Sequence, residues 1–235
     1  MVRLFLTIAV LVFSVPARPA SVSFDAAGDP ADRSAKFRLH VDLPVLRVQH
    51  TTVGAVYGQR SFWDVDDDDD PFRVETNFRP EVYLQTSAAS WRWRGSYVHE
   101  SNGLEQGLSR GWNRVVLTVE RRSGSWRVTA AAWIGFRVED TNPDLRRTVG
   151  DGEIHLRGDE QSFLAPAFRA RWSLDPVDDS PVTSIRAALR LPLPHRVVPD
   201  RRVRFLVEVF WGRGEMLHDD ARITRALRLG VTLDR

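Results

Sequence analysis

Cysteine is absent from this 235-residue chain, which excludes disulfide bridges, thiol nucleophiles and thiolate metal ligands. An excess of one charge is lacking too, since 33 basic and 31 acidic residues leave a formal net charge of +2. A long apolar run occurs only near the start, and Leu4 to Val15 is too short to span a bilayer. We therefore expect no transmembrane helix, and we expect no nucleic-acid partner.

The first twenty residues are typical of a secretory signal peptide. Arg3 precedes the apolar run, and Val15-Pro16-Ala17 matches a cleavage motif, with Ala20 as a second choice. The alternative is a buried N-terminal helix. We expect a signal peptide over residues 1–20, a polar lead without a strand over residues 21–35, and a folded domain over residues 36–235.

Apolar and polar residues alternate along most of the chain beyond this lead. Phe37, Leu39 and Val41, for example, alternate with charged or polar neighbours. A period of two indicates β-strands, because successive side chains of a strand point to opposite faces. A soluble sandwich and a membrane barrel both give this pattern. Segments of about ten residues, a polar face dense in Arg and Glu, and aromatic residues near strand ends favour the barrel.

The expected fold class is an all-β, antiparallel transmembrane barrel of about 12 strands, of which eleven are predicted from the sequence. Ser21 to Ser34 is a poor candidate for a twelfth strand, because it is short and rich in Asp, Gly and Pro. Tight turns alternate with long loops, and in such barrels the long loops face outward. The predicted strands are 36–44, 51–64, 76–87, 90–101, 112–122, 125–138, 148–157, 162–174, 182–193, 201–212 and 223–234.

One stretch, His99 to Arg114, carries residues suited to acyl transfer. His99 and Ser101 share a strand face, and Asn113 starts the next predicted strand, where it can approach the imidazole from the far side. A nucleophile, a base and a group that orients the base form the minimal constellation for this chemistry. All three fall on the apolar, lipid-facing side of the wall. That placement suits an enzyme whose substrate is a membrane lipid.

The same stretch resembles the active-site signature of the outer membrane phospholipase A family, in which His-x-Ser-Asn-Gly is followed by Ser-Arg-x-Trp-Asn-Arg. Segments that begin at Tyr57, Pro71, Asn142 and Gly212 are similar to other parts of that family. The resemblance covers roughly residues 36 to 235. The chain departs from the family in its missing first strand and in a C-terminus without the usual terminal aromatic residue.

The resemblance implies an enzyme that hydrolyses acyl esters of glycerophospholipids in the bacterial outer membrane, with its active site towards the outer leaflet. Ser101 would be the nucleophile, His99 the general base and Asn113 the residue that orients His99. The Gly103 N–H is a candidate donor to the oxyanion, because glycine lets the backbone approach closely.

The resemblance also implies a calcium ion and a homodimer as the active form. The calcium ligands carried over by position are the Ser109 hydroxyl, the Leu104 carbonyl and a side chain from the partner subunit at Asp69. Oxygen ligands of this kind suit calcium. Gln59, a polar residue on the lipid face, would be a dimer contact.

Two other readings remain open at this point. The first is a catalytically inactive barrel of the same fold, a pore or structural protein; intact His99, Ser101 and Asn113 argue against it. The second is a soluble periplasmic sandwich that binds ligands. For the acidic run Asp66 to Asp70, a solvated loop is the alternative to a role in metal binding.

Overall fold

A closed barrel of antiparallel strands accounts for most of the described residues. The structure is a computed structural model and describes residues 20–31, 34–64, 75–104, 108–136, 145–159, 162–177, 180–193, 202–217 and 221–234. The strands are β1 (Ser21–Asp29), β2 (Ser34–Val48), β3 (Thr51–Asp64), β4 (Glu75–Ala88), β5 (Trp91–Ser101), β6 (Gly111–Ser123), β7 (Trp126–Phe136), β8 (Gly152–Gly158), β9 (Ala165–Trp172), β10 (Val182–Pro192), β11 (Val203–Gly212) and β12 (Thr224–Asp234). Each strand pairs with its neighbours in sequence, and β1 pairs with β12 to close the barrel.

The prediction that residues 21–35 form a polar lead without a strand is wrong. Strand β1 lies there and supplies the twelfth strand, so the barrel includes residues from 21 onward. Its acidic character is tolerated because the acid at its centre faces the lumen, where Asp25 lies 2.8 Å from Arg38 Nη2. The charged lumen therefore accommodates an acidic residue in the middle of this strand.

All eleven predicted strands are confirmed, with bounds that differ by a few residues. The prediction for β3 matches residue for residue. Strand β8 begins at Gly152 rather than 148, because the preceding residues form a short helix, α1 (Leu145–Val149). In the described part of the chain no helix is long and apolar enough to cross a bilayer, a finding that concerns helices only. The predicted signal peptide lies outside the described residues except for Ala20.

The outer face of the barrel is apolar and the lumen is charged. Along β6, Val115 and Leu117 are more than half exposed, while Arg114 and Val116 between and beside them are buried. This alternation places apolar side chains against lipid and lets buried charges pair across the lumen. The same alternation decides on which side of the wall a candidate active-site residue lies.

Apolar side chains fill the lumen behind the strands that carry the His99 to Arg114 stretch. Leu145 and Val149 of helix α1 pack there against Trp112 and Trp133, and Leu217 completes the cluster. The Trp133 indole N–H donates a hydrogen bond of 2.7 Å to the carbonyl of Gly150. Strands β5, β6 and β7 are thus supported from inside at the end where the long connections lie.

Candidate active site

His99, Ser101 and Asn113 lie together on the outward face of β5 and β6, as predicted. The strand register sets His99 opposite Asn113 and Ser101 opposite Gly111. His99 Nδ1 lies 3.1 Å from Asn113 Oδ1. An amide oxygen only accepts hydrogen bonds, so Nδ1 carries the proton and Nε2 is the nitrogen that can accept one. The ring is therefore held in the tautomer that a general base requires.

Tyr97 is a site residue for which no role was predicted from the sequence. Its hydroxyl donates a hydrogen bond of 2.7 Å to Asn113 Oδ1, the same oxygen that binds His99. Its ring packs 6.1 Å from that of Phe136, which stands opposite Asn113 on β7. Two donors converging on one oxygen fix the orientation of the amide. The available signal was a tyrosine two residues before His99, on the same face of the strand.

Gly103 adopts a backbone conformation that favours glycine, with φ of 63°. A Cβ atom there would approach the ring of Phe78 to 3.1 Å, and Phe78 stands opposite Ser101 on β4. The flanking N–H groups of Asn102 and Leu104 are both engaged in hydrogen bonds. Among these three consecutive amides, the Gly103 N–H is the one suited to meet charge that develops beside Ser101.

Asn102 closes the loop that follows β5, and it is almost fully buried. Its Oδ1 accepts hydrogen bonds from the N–H groups of Leu104 at 3.3 Å and Arg110 at 2.9 Å. Its Nδ2 donates to the Leu108 carbonyl at 2.8 Å, and its own N–H donates to the Arg110 carbonyl at 3.0 Å. The loop that carries Leu104 and Ser109, the predicted calcium ligands, is thus tied at both ends.

An ion pair joins β5 and β6 on the lumen side of the wall, directly behind the triad. Glu100 follows His99 along β5, Arg114 follows Asn113 along β6, and the Arg114 guanidinium donates to the Glu100 carboxylate. The guanidinium also stacks 4.2 Å from the ring of Trp112. Both charged residues are buried. The pair therefore links, from the lumen side, the two strands that hold His99 and Asn113.

Gln59, the predicted dimer contact, lies on the outward face of β3. It stands opposite Phe78, which in turn stands opposite Ser101, so all three share one row across neighbouring strands. Gln59 Oε1 accepts from the Tyr57 hydroxyl at 2.9 Å, and Nε2 donates to Ser61 Oγ at 3.2 Å. The row places Gln59 about 10 Å from Ser101, two strand spacings away.

Of the predicted calcium ligands, Leu104 and Ser109 are described, whereas Asp69 and the whole run Asp66 to Asp70 lie outside the described residues. Within the described ranges, no group of three or more histidine or acidic side chains is placed to hold a metal ion. The possible metal ligands near Ser101 in the described ranges are carbonyl and hydroxyl oxygens of the loop after β5.

Comparison with known proteins places this chain in a family. The family model described as Phospholipase A1 matches residues 5–233. Phospholipase A1 of Escherichia coli K12 is 31% identical over 233 residues, which cover 92% of this chain and 75% of that protein. Phospholipase A1 of Salmonella typhimurium is 32% identical over 215 residues, covering 85% of this chain and 69% of that protein.

Two solved structures share the fold. Outer membrane phospholipase A from Escherichia coli has a TM-score of 0.74 and 21% identity, covering 95% of this chain and 96% of that one. The outer membrane phospholipase of Salmonella typhi, a dimer with bound calcium, has a TM-score of 0.74 and 22% identity, covering 96% of each chain. This chain therefore belongs to the phospholipase A1 family and is a phospholipase of the bacterial outer membrane.

Proposed function

We propose that the chain hydrolyses acyl esters of glycerophospholipids with Ser101 as nucleophile, His99 as general base and Asn113 as the residue that orients His99. The observation that carries this proposal is the His99–Asn113 hydrogen bond on the lipid-facing wall beside Ser101. Polar groups on such a face are costly and are usually functional. An ester of a membrane lipid reaches this face laterally, without leaving the bilayer.

In the first half of the reaction, His99 Nε2 accepts the Ser101 hydroxyl proton as Oγ attacks the ester carbonyl carbon. The Gly103 N–H donates to the oxyanion that forms. When the carbon–oxygen bond to the glycerol breaks, His99 returns the proton to the departing lysophospholipid oxygen, and the acyl group stays on Ser101. Asn113 accepts from His99 Nδ1–H throughout, so the ring stays oriented.

In the second half, water attacks the acyl-serine ester. His99 takes a proton from the water and then gives it to Ser101 Oγ, which releases the fatty acid. Asn113 is neutral, so it stabilises the imidazolium less than an aspartate would. Because Tyr97 donates to the same Asn113 oxygen, we assign that oxygen mainly an orienting role.

The possible ligands near Ser101 suit calcium, because they are oxygen atoms of the loop that Asn102 ties together by hydrogen bonds. We propose that the Ser109 hydroxyl and the Leu104 carbonyl hold the ion, together with Asp69 from the partner subunit. The related Salmonella typhi enzyme is a dimer with bound calcium. A calcium ion bound there supplies positive charge to stabilise the oxyanion.

We also propose that the dimer forms through the outward face around Gln59 and that the active site lies towards the outer leaflet. The Gln59 amide makes one bond as acceptor and one as donor within its own strand, and it has the capacity for one more of each. Most of the long connections lie at the Ser101 end of the strands, and the tight turns, such as the one at Gly124, lie at the other end, together with the longer connection between β10 and β11.

Release of fatty acid from phospholipid micelles, with calcium or with excess chelator, tests the proposal. We expect the wild-type chain to be active with calcium only. Ser101→Ala should abolish hydrolysis and leave the heat-modifiable gel mobility of the folded barrel unchanged, while Asn113→Ala should keep partial activity. Undiminished turnover by Ser101→Ala would contradict the assignment of the triad. A wild-type chain that is folded but inactive would favour the alternative hypothesis of a catalytically inactive barrel.

A further inference from the structure

A cavity of about 400 Å³ lies in the lumen of the barrel, on the side of the wall away from Ser101. Among the described residues that line it, nine are Arg or Lys and only three are Asp or Glu. An excess of charge of one sign is costly inside a membrane-embedded barrel unless other charges or hydrogen bonds compensate it. A negatively charged ligand in this cavity would therefore offset the excess positive charge of its lining.

Two pairs of arginines stand directly opposite each other in this lining. Arg38 of β2 faces Arg60 of β3, and Arg169 of β9 faces Arg186 of β10. Like charges directly opposite on neighbouring strands destabilise the pairing. The two pairs also approach each other, because Arg38 and Arg186 both contact the Glu208 carboxylate. Four guanidinium groups thus converge on one part of the lumen.

The acids around the cavity leave it positive. In the described part of the lumen, each of three groups of ion pairs holds one more base than acid. The groups are Glu208, Glu215 and Asp25 with Lys36, Arg38, Arg186 and Arg228; Glu100 with Arg60 and Arg114; and Glu153 with Arg169 and Arg171.

Arg60 and Arg169 lie beyond hydrogen-bond distance of the acids with which they form ion pairs. Arg60 lies 3.7 Å from Glu100, and Arg169 lies 3.9 Å from Glu153. A third arginine of the lining, Arg79, is 3.8 Å from its acidic partner, but its side chain is 42% exposed, against 20% for Arg60 and 30% for Arg169. The Nε atoms of Arg60 and Arg169 are buried and have no hydrogen-bond partner among the described residues. Both residues line the cavity, from opposite walls of the barrel.

We propose that the lumen binds a free tetrahedral oxyanion of the phosphate class, held by Arg60, Arg169 and Arg38. The guanidinium fork matches the oxygens of such an anion, and donors on three different strands suit its tetrahedral shape. A polyvalent anion also offsets the surplus of bases. The site faces the lumen, whereas Ser101 faces lipid, so it is separate from any contact with the substrate headgroup.

Calorimetric titration tests this site on the full chain folded in detergent, with sodium phosphate added at pH 7 in a calcium-free, low-salt buffer. We expect one saturable site per chain. Arg60→Gln and Arg169→Gln should each weaken phosphate binding roughly tenfold or more, as expected for losing a charge-assisted hydrogen bond. The matched control is Arg225→Gln, at an exposed arginine on the outward face of β12, which should bind as the wild type does.

The thermal stability of the folded barrel gives an independent readout. Phosphate should raise the temperature at which the folded gel band is lost in the wild type and in Arg225→Gln, because a ligand of the folded state stabilises it. In Arg169→Gln the rise should be smaller at the same phosphate concentration. If that variant does not fold, Arg169→Lys replaces it, since a lysine keeps the charge and loses the fork. The proposal is overturned if the folded wild type shows no saturable binding, or if folded Arg60 and Arg169 variants bind phosphate normally.

Discussion

Asn113 accepts two hydrogen bonds through one amide oxygen, from His99 Nδ1 and from the Tyr97 hydroxyl. A neutral orienter contributes less charge stabilisation than an aspartate, so its angle relative to the imidazole matters more. Tyr97 sets that angle from the same strand that carries His99. The site therefore depends on a phenol that does not itself touch the reacting atoms.

Tyr97→Phe tests this dependence. The variant keeps the ring that packs on Phe136 and loses the hydroxyl bond to Asn113. Since a hydrogen bond contributes about 1 kcal/mol net, we expect kcat to fall roughly fivefold with little change in KM. Tyr83→Phe is the matched control, because its hydroxyl binds Asp42 in the lumen instead. Equal effects of the two variants on kcat would contradict the role given to Tyr97.

The pairing of β5 with β6 depends on the buried ion pair between Glu100 and Arg114, behind the triad. Removing one partner of such a pair leaves an uncompensated buried charge and costs about 3–5 kcal/mol. Glu100→Gln should therefore lower the free energy of unfolding by about 3 kcal/mol, measured by urea unfolding in lipid vesicles. The double variant Glu100→Gln with Arg114→Met should recover part of that loss.

The same two strands provide the control for that cycle. Glu120 and Arg92 pair at 3.1 Å near the opposite end of β5 and β6, where the Arg92 side chain is more than a third exposed. An exposed pair contributes about 0–1 kcal/mol, so Glu120→Gln should change the stability little. A cost for Glu120→Gln equal to that for Glu100→Gln would show that neither burial nor the position behind the triad matters.

The connections at the Ser101 end of the barrel are held together by Asp151. Its carboxylate accepts hydrogen bonds from Arg146 at 2.8 Å, the Leu174 N–H at 2.9 Å and Ser173 at 3.3 Å. Burial alone raises the pKa of Asp151, but these hydrogen bonds and the charge of Arg146 outweigh burial and lower that pKa below its usual value.

A lowered pKa in the folded state gives this contribution a defined pH dependence. The Asp151 carboxylate stabilises these connections fully above the unfolded-state pKa, near 3.8, and the stabilisation is lost as the pH falls through the folded-state pKa. We expect pepsin to cleave the 173–177 segment faster as the pH drops below about 3.8. Pepsin should cleave the Asp151→Asn variant fast across the whole acidic range. It should cleave the Asp175→Asn variant at the same rate as the wild type.

Period-two alternation was sufficient to predict eleven strands, because apolar residues that face lipid recur at alternate positions along at least part of each strand. It failed for β1, where Asp25 and the glycine at 28 look like loop residues until the charged lumen is known. Helix α1 was missed because it is only five residues long and is stabilised by packing against Trp133. Strand faces follow from local sequence, whereas lumen contacts depend on strands far apart in the chain.

In the candidate site too, the features that depend on local sequence were predicted and those that depend on distant parts of the chain were not. His99, Ser101 and Asn113 were recognised from their resemblance to a family signature that is nearly contiguous in the sequence, and their shared strand face is a local property; the structure brings them together. The loop closure by Asn102 was not foreseen, since it depends on the path of the backbone between 102 and 110. The ion-pair groups of the lumen were expected only in general terms, because pairing partners such as Lys36 and Glu208 are 172 residues apart.

As a whole, the barrel presents Ser101, the proposed nucleophile, on its lipid-facing side and most of its buried charges to the lumen. An esterase that faces its own membrane needs a step that restrains it. The proposed calcium site, completed by two subunits, would provide that step, because the monomer would lack a ligand. By linkage, calcium that binds the dimer better than the monomer must also favour the dimer.

Asp69 gives this coupling a specific test in the acidic run Asp66 to Asp70, which lies outside the described residues. Asp69→Ala removes a charged calcium ligand, so more calcium should be needed for both fatty acid release and dimer formation. Dimer formation is measured by sedimentation of the detergent-folded chain across a calcium titration. Asp66→Ala, three residues away, should shift neither midpoint if the ligand position matters. Equal shifts from both substitutions would mean that the run only concentrates cations, and full activity in excess chelator would exclude calcium from the reaction.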